Sequence, residues 1–451
     1  MATAQTDPAA RAQRSPVGII FLTIFLDLVG FSIIFPLFPA MLKYYFHEAQ
    51  AGGLLAGFLS AAHSLAPGAS DEQVAVLFGG LLGSLYSILQ FFASPFWGRL
   101  SDRVGRRKVL LFTVAGTAFS YLLWIFAGQF WMLVLARGFG GIMAGNISVA
   151  TAAIADVTTA EKRSRGMALV GIAFGLGFIL GPALGGWLSL YNISTNSGGA
   201  ALGLNPFSMC ALASFALAVL NYFWVLVRFP ETLPAEKRAA NMPVELQTQT
   251  VTERLATIFK SNQPAIRRTN LVSLFYTIAF SGMEFTLTFF AAERFHYSSV
   301  DMVKIFLFMG FVMVVAQGWL GRKYVPRIGE KPSVMIGLVC GIAGFLFLAW
   351  TPNVPWFYTG LAVFAVSVGL TSVCLPALVS LYSDATEQGR HIGSARAAQA
   401  LGRAIGPLFI SVIYFRTGAM VAYAVGAVAI LIPLWLALRL PTPQKGPAAA
   451  S

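Results

Sequence analysis

Twelve long apolar runs dominate this chain, near residues 17–41, 74–97, 109–128, 131–155, 166–190, 207–228, 269–292, 301–321, 333–351, 355–382, 392–415 and 418–439. Crossing the hydrocarbon layer of a bilayer takes about 20 residues of helix, and these runs meet that length. Backbone in lipid must satisfy its own hydrogen bonds, so runs of this kind fold as helices. Charged residues make up only 11% of the 451, where a soluble domain carries about 25%. A soluble enzyme is therefore excluded. The expected class is an all-α membrane protein of twelve transmembrane helices, spans 1 to 12, in two pseudo-symmetric six-helix bundles.

The loops after even-numbered spans hold the positive charge. Loop 2–3 has Arg99, Arg103, Arg106, Arg107 and Lys108; loop 4–5 has Lys162, Arg163 and Arg165; loop 8–9 has Arg322, Lys323, Arg327 and Lys331. The opposite loops offer little beyond Lys43, Arg294 and Arg416. Excess Lys and Arg stays on the cytoplasmic side, so the basic loops and both termini are expected there, in a multi-pass cell-membrane protein (an inner membrane in a bacterium). The net charge of +13 is thereby a topology signal and does not point to nucleic acid. Cys210, Cys340 and Cys374 fall inside apolar runs without metal-ligand spacing and read as small buried residues.

Residues 229–268 are polar and split the spans six and six. The expected organisation is a cytoplasmic tail over 1–16, a bundle over 17–228, a cytoplasmic linker over 229–268, a second bundle over 269–440 and a tail over 441–451. Thr252 to Lys260 reads as a short interfacial helix in the linker. The outside stretch 43–73 contains an apolar segment from Leu54 to Leu59, too short to span, read as a surface or re-entrant helix. The halves echo each other: Gly181-Pro182 in span 5 matches Gly406-Pro407 in span 11, each after a span ending in an acid, Asp156 or Asp384. Repeats of this kind build transporters with a midplane site.

Loop 2–3 reads Gly98-Arg99-Leu100-Ser101-Asp102-Arg103-Val104-Gly105-Arg106-Arg107-Lys108. Topology explains its bases but not its Gly-Asp-Gly spacing; a lone Asp among bases needs a partner or a helix N-terminus. The string resembles the loop 2–3 signature of the major facilitator superfamily. The loop after span 8 is a degenerate copy without the Asp. Arg137-Gly138 in span 4 is similar to the family's second motif. Span 5, with Gly175, Gly177, Gly181-Pro182 and Gly185-Gly186, resembles the motif associated with its antiporters. Span 1 (Asp27, Gly30, Pro36, Pro39) is similar to the tetracycline-efflux branch of drug:proton antiporters. The stretches Leu77–Gly80, Gly145-Asn146, Pro230–Pro234 and Ser281–Phe285 resemble the animal tetracycline-transporter-like members. The resemblance implies alternating-access export of amphiphilic drugs or organic anions. It also implies a central cavity lined by spans 1, 4, 7 and 10.

Ionisable residues inside a membrane cost roughly 2.5 kcal/mol or more each at the centre and ask for a reason. Asp27, Arg137 and Glu284 fall within spans 1, 4 and 7, at places the implied cavity would reach. Asp27 with Arg137 is either a structural ion pair or a proton-coupling site. Burial disfavours the carboxylate's charge and a nearby guanidinium favours it, opposed effects that suit a proton carrier. Glu284 takes Arg403 of span 11 as candidate partner across the cavity, while Arg396, nearer the cytoplasmic end, is expected to meet Asp102. Gln90, Asn146 and Gln317 are interhelical hydrogen-bonders or substrate contacts. No phosphate loop, zinc spacing or nucleophile elbow is present, so the reading is a transporter without cofactor or metal, driven by a gradient. Its expected partners are a small substrate, protons and the bilayer, in a monomer. A facilitator or symporter for an organic anion, and a non-transporting receptor or scaffold with the same fold, are the alternatives.

Overall fold

The computed structural model describes residues 16–49, 54–65, 68, 70–158, 160–194, 202–234, 236, 259, 263–383 and 388–442. Asp384, residues 1–15 and 443–451, and all of Thr252 to Lys260 except Phe259 lie outside them. The described residues form helices and turns, with no strand among them.

Among the described residues, eleven helical stretches are long and apolar enough to cross a membrane. The last of these, His391–Leu438, has 48 residues, roughly 70 Å of helix and more than twice the thickness of a bilayer core. It reverses at Gly418, whose φ of 80° no helix contains. It is therefore two crossings, spans 11 and 12, and the total is the twelve expected. The outside segment forms a twelve-residue helix, Leu54–Leu65, too short to span, with Phe58 exposed.

Two spans are broken where they approach the middle. Span 1 runs Pro16–Ser32, passes through a 3-10 turn over Phe35–Leu37 and resumes at Phe38–Ala49. Pro36 and Pro39 supply no N–H to the ladder, which explains the break. Span 4 is split into Phe130–Met143 and Asn146–Val157. Broken helices survive in a membrane when other groups take up the freed carbonyls, and span 2 (Asp71–Val104) does so here. Trp97 Nε1 donates to Ile142 O at 2.7 Å, and Gln90 Nε2 and Ser94 Oγ each lie 3.4 Å from Ala144 O.

The internal echo is structural. In the first half, Ser32 Oγ of span 1 donates to Gly177 O of span 5 at 2.8 Å. In the second, Ser281 Oγ of span 7 (Pro264–Phe295) donates to Gly402 O of span 11 at 3.3 Å. A Cβ on Gly181 would stand 1.9 Å from Ser32 Oγ, and one on Gly406 would stand 2.1 Å from Ser281 Oγ. Glycine at both positions lets the paired helices touch backbone to backbone, which is how packing is gained where lipid offers no hydrophobic drive.

The halves meet on one side of mid-depth. Span 2 lies on span 11 where Gly80 faces Ser411 and Pro407, and span 5 lies on span 8 where Gly186 faces Ser299 and Val303. These contacts fall toward the ends remote from the basic loops.

Candidate substrate cavity and its ion-pair network

The basic loop folds around one guanidinium. Span 2 ends at Val104, Gly105 turns with φ 112°, and span 3 (Arg106–Ile125) starts at once. A positive φ favours glycine. Arg106, only 6% exposed, ties three elements together: Nη2 to Asp102 Oδ1 at 2.6 Å, Nε to Asp156 Oδ2 at 2.9 Å and Nη1 to Ser101 Oγ at 2.6 Å. Glu231, just beyond span 6 (Ser208–Arg228), accepts from the N–H groups of Arg106 at 2.9 Å and Arg107 at 3.3 Å. A carboxylate at the first turn of a helix satisfies orphan donors and opposes the positive end of the dipole. Arg107 reaches the other way, donating to Leu226 O of span 6 at 2.5 Å.

The second half repeats part of this device. Gly329 turns with φ 92° ahead of span 9, Glu330–Ala349. Lys331, two residues on as Arg107 is from Gly105, donates to Leu438 O at 3.2 Å and Leu440 O at 2.6 Å at the end of span 12. Cations on the last carbonyls of a helix are favourable. Loop 8–9 has no acid at the place of Asp102, and Asp384, the counterpart of Asp156, lies outside the described residues.

Arg396 does not join Asp102. Asp102 is held by Arg106 four residues along its own connection, whereas Arg396 sits on the cavity wall. In this conformation the base beside Asp102 is Arg106, brought within reach by the turn at Gly105.

Asp27 and Arg137 form no ion pair either. Asp27 Oδ1 accepts from Asn146 Nδ2 at 2.5 Å, at the point where the break in span 4 begins its second segment. Arg137, 7% exposed, packs its guanidinium 4.4 Å from the ring centre of Tyr86 and 5.4 Å from that of Phe31. Such cation–π contacts are worth about 2 kcal/mol when desolvated. Its Nε has no hydrogen-bond partner. Arg137 therefore lies behind the ring of Tyr86 and is not among the residues lining the cavity.

The cavity itself has two lobes. The larger, about 490 Å³, is lined by spans 1, 2, 4, 5 and 11 and carries Asp27, Gln90 and Tyr86. The smaller, about 190 Å³, is lined by spans 5, 7, 8, 10 and 11 and carries Glu284 and Gln317. Gln317 stands on a π-turn, Ala316–Leu320, and donates to Ser372 Oγ at 3.1 Å. Phe174, Phe178, Arg396, Gln399 and Arg403 belong to both lobes, so the two are one space. Spans 2, 5, 8 and 11 thus share the wall with spans 1, 4, 7 and 10. Glu284 and Arg403 feel each other's charge without forming an ion pair within 4.0 Å; Arg403 rests over Phe174 at 4.9 Å and Phe178 at 5.5 Å. Ala155, Ile392 and Gly393 line the larger lobe at the span ends beside the basic loops, so the cavity reaches that side and is closed on the other.

Of the expected residues, Asp27, Gln90, Glu284, Gln317, Arg396 and Arg403 line this space; Asn146 reaches it through Asp27, and Arg137 does not. Span 5 contributes Gly171, Gly175 and Phe178 to the wall, while Gly177, Gly181 and Gly185 pack against span 1 and Pro182 follows them toward the closed end. Sequence reading missed the rings of Tyr86, Phe31, Phe174 and Phe178, which are four among 38 Phe and 13 Tyr with nothing local to mark them. It also missed Glu231 and Asp156 as partners of Arg106, although two acids beside an excess of bases were a usable signal.

The Major Facilitator Superfamily model matches residues 20–407 and, in a second match, 325–451. The chain belongs to the major facilitator superfamily. It is 33% identical to the mouse major facilitator superfamily domain-containing protein 10 over 97% of this chain and 95% of that protein. It is 28% identical to the class B tetracycline resistance protein of Escherichia coli, over 89% of each chain. Among solved structures, the crystal structure of the human organic anion transporter MFSD10 (TETRAN) superposes with a TM-score of 0.75 at 31% identity, covering 94% of this chain and 99% of that one. A bacterial homolog of the human lysosomal transporter Spinster, at 14% identity and a TM-score of 0.68, shares the fold. The protein is a multi-pass membrane transporter and not an enzyme.

Proposed function

We propose that the protein is a proton-coupled exporter of amphiphilic organic anions or tetracycline-like drugs, working by alternating access. One observation carries the reading: a cavity bounded by both halves, with a carboxylate from each half on its wall, open toward the basic loops and closed opposite. In a membrane, ionisable groups facing an interior cavity mark ion and substrate pathways. The 490 Å³ lobe is of a size that takes a drug-like molecule, about 300–1,000 Å³. The names of the relatives, organic anion transport for one and tetracycline resistance for others, agree with that substrate range.

In this reading the bundles are residues 17–228 and 269–440, joined by a linker over 229–268. The basic loops and both termini are cytoplasmic, so the cavity is open inward, in a monomer in the cell membrane. Asp27 carries the proton, and Arg137, held on Tyr86, supplies a fixed positive potential behind it. The Asp102–Arg106–Asp156–Glu231 network fastens spans 2, 3, 4 and 6 into one body that moves together. Glycines 177, 181 and 185 with Pro182 let span 5 follow span 1. A facilitator for organic anions is the second reading, favoured by the two arginines on the shared wall.

The test is proton flux in proteoliposomes of the purified protein, on addition of tetracyclines and of aromatic carboxylates. Substrate-induced alkalinisation or acidification that scales with substrate supports coupling. Substrate movement with no accompanying proton movement assigns the facilitator reading instead.

A further inference from the structure

Two guanidinium groups, Arg396 and Arg403, stand on the wall shared by the two lobes. They are seven residues apart on span 11, close to two helical turns, which keeps them on one face about 10 Å apart along the axis. Among the described residues neither takes a hydrogen bond or an ion pair within 4.0 Å; Arg403 is supported instead by the faces of Phe174 and Phe178. The two are near enough for their like charges to oppose each other. Glu284 acts on Arg403 from span 7, and Asp27, hydrogen-bonded to Asn146, faces the other lobe from span 1. Neither acid is in ion-pair contact with either arginine.

Like charges repeated along one wall of an apolar cavity favour a ligand that brings two negative charges at the same spacing. Resting on the organic-anion reading above, we propose that the preferred substrates are amphiphilic dianions. One acidic group sits on Arg403 deep in the cavity and the second on Arg396 nearer the basic loops. The apolar body between them lies along Phe174 and Phe178. Guanidinium suits this role because it pairs a carboxylate through two parallel hydrogen bonds. The spacing also gives an order of events: a dianion entering from the open side meets Arg396 first and engages both groups only when fully inserted.

The experiment is isothermal titration of the full-length protein in detergent with biphenyl-4,4′-dicarboxylate and with biphenyl-4-carboxylate, which share one body and differ by one acid. The dianion is expected to bind about tenfold tighter, the effect of roughly 1.4 kcal/mol. Arg396→Gln should bring the ratio of the two affinities close to one, mainly by weakening the dianion. Arg396→Lys, which keeps the charge, should restore most of the preference and shows that the site still folds. Arg403→Gln should weaken both ligands. Equal binding of the two acids by the unaltered protein overturns the dianion proposal and leaves the organic-anion reading standing; so does an unchanged ratio in Arg396→Gln. Failure of both acids to bind removes the organic-anion reading itself.

Discussion

Asp27 shows how one hydrogen bond changes the meaning of a charge. Its partner is the Asn146 amide, a neutral donor that serves a carboxylate or a carboxylic acid, whereas an ion pair with Arg137 would have fixed the charged form. A group that must gain and lose a proton is better served by the first arrangement. Asp27→Asn is expected to abolish gradient-driven accumulation in proteoliposomes while substrate binding, read by calorimetry, persists, because Asn retains the acceptor oxygen. Glu284→Gln should chiefly weaken cationic substrates and leave coupled transport of others measurable. Accumulation that survives in the Asp27→Asn protein would sink the assignment, and loss of coupling in Glu284→Gln alone would transfer it to the second half.

Among elements, the paired helices decide the design. Spans 1 and 5, and spans 7 and 11, touch through glycine, and each contact is closed by a serine that donates across it. Gly181→Ala would bring a methyl group to 1.9 Å from Ser32 Oγ and 2.6 Å from Val29 O. The backbone oxygen cannot swing away, so the helices must part, at a cost on the order of 1–3 kcal/mol of overpacking. Thermal unfolding in detergent should fall by several degrees for Gly181→Ala. Gly57→Ala, in the short outside helix with nothing within 4 Å of the new Cβ, should be neutral or slightly stabilising. Equal melting temperatures for the two variants would show that span 5 has room to move against span 1 without loss.

At the scale of the whole molecule, the network at Arg106 and the contacts of Gly80 and Gly186 with the second half lie at opposite ends of the first bundle. The first fastens spans 2, 3, 4 and 6 beside the basic loops, and the second set brings the halves together on the far side. A body that is rigid at the open end and joined at the closed end can rock about the cavity. Sidedness is checked by labelling: with an impermeant thiol reagent outside intact cells, a cysteine at Ser197 should react and one at Ser101 should not. Ser101 is fully buried against Arg106, so its protection should be confirmed by labelling Lys108→Cys, exposed on the same loop. Reaction at Lys108→Cys from outside would invert the orientation.

The number of crossings, the six-and-six division and the family were all legible in the sequence. Bilayer thickness imposes length on each span, and loop charge and glycine spacing are local properties of the chain. Gly105, Gly181 and Asp27 could be singled out for the same reason: a glycine in a basic turn, a Gly-Pro in a span and an acid in lipid are anomalies where they stand. Pairing was not legible. Asp102 meets Arg106 and Asp27 meets Asn146, while Arg137 turns to two rings and Arg396 to the cavity. Which partner a buried charge takes depends on helix rotation and on where a helix breaks, as span 4 does at Ala144. Those are set by the packing of distant segments, so only the tertiary structure could decide them.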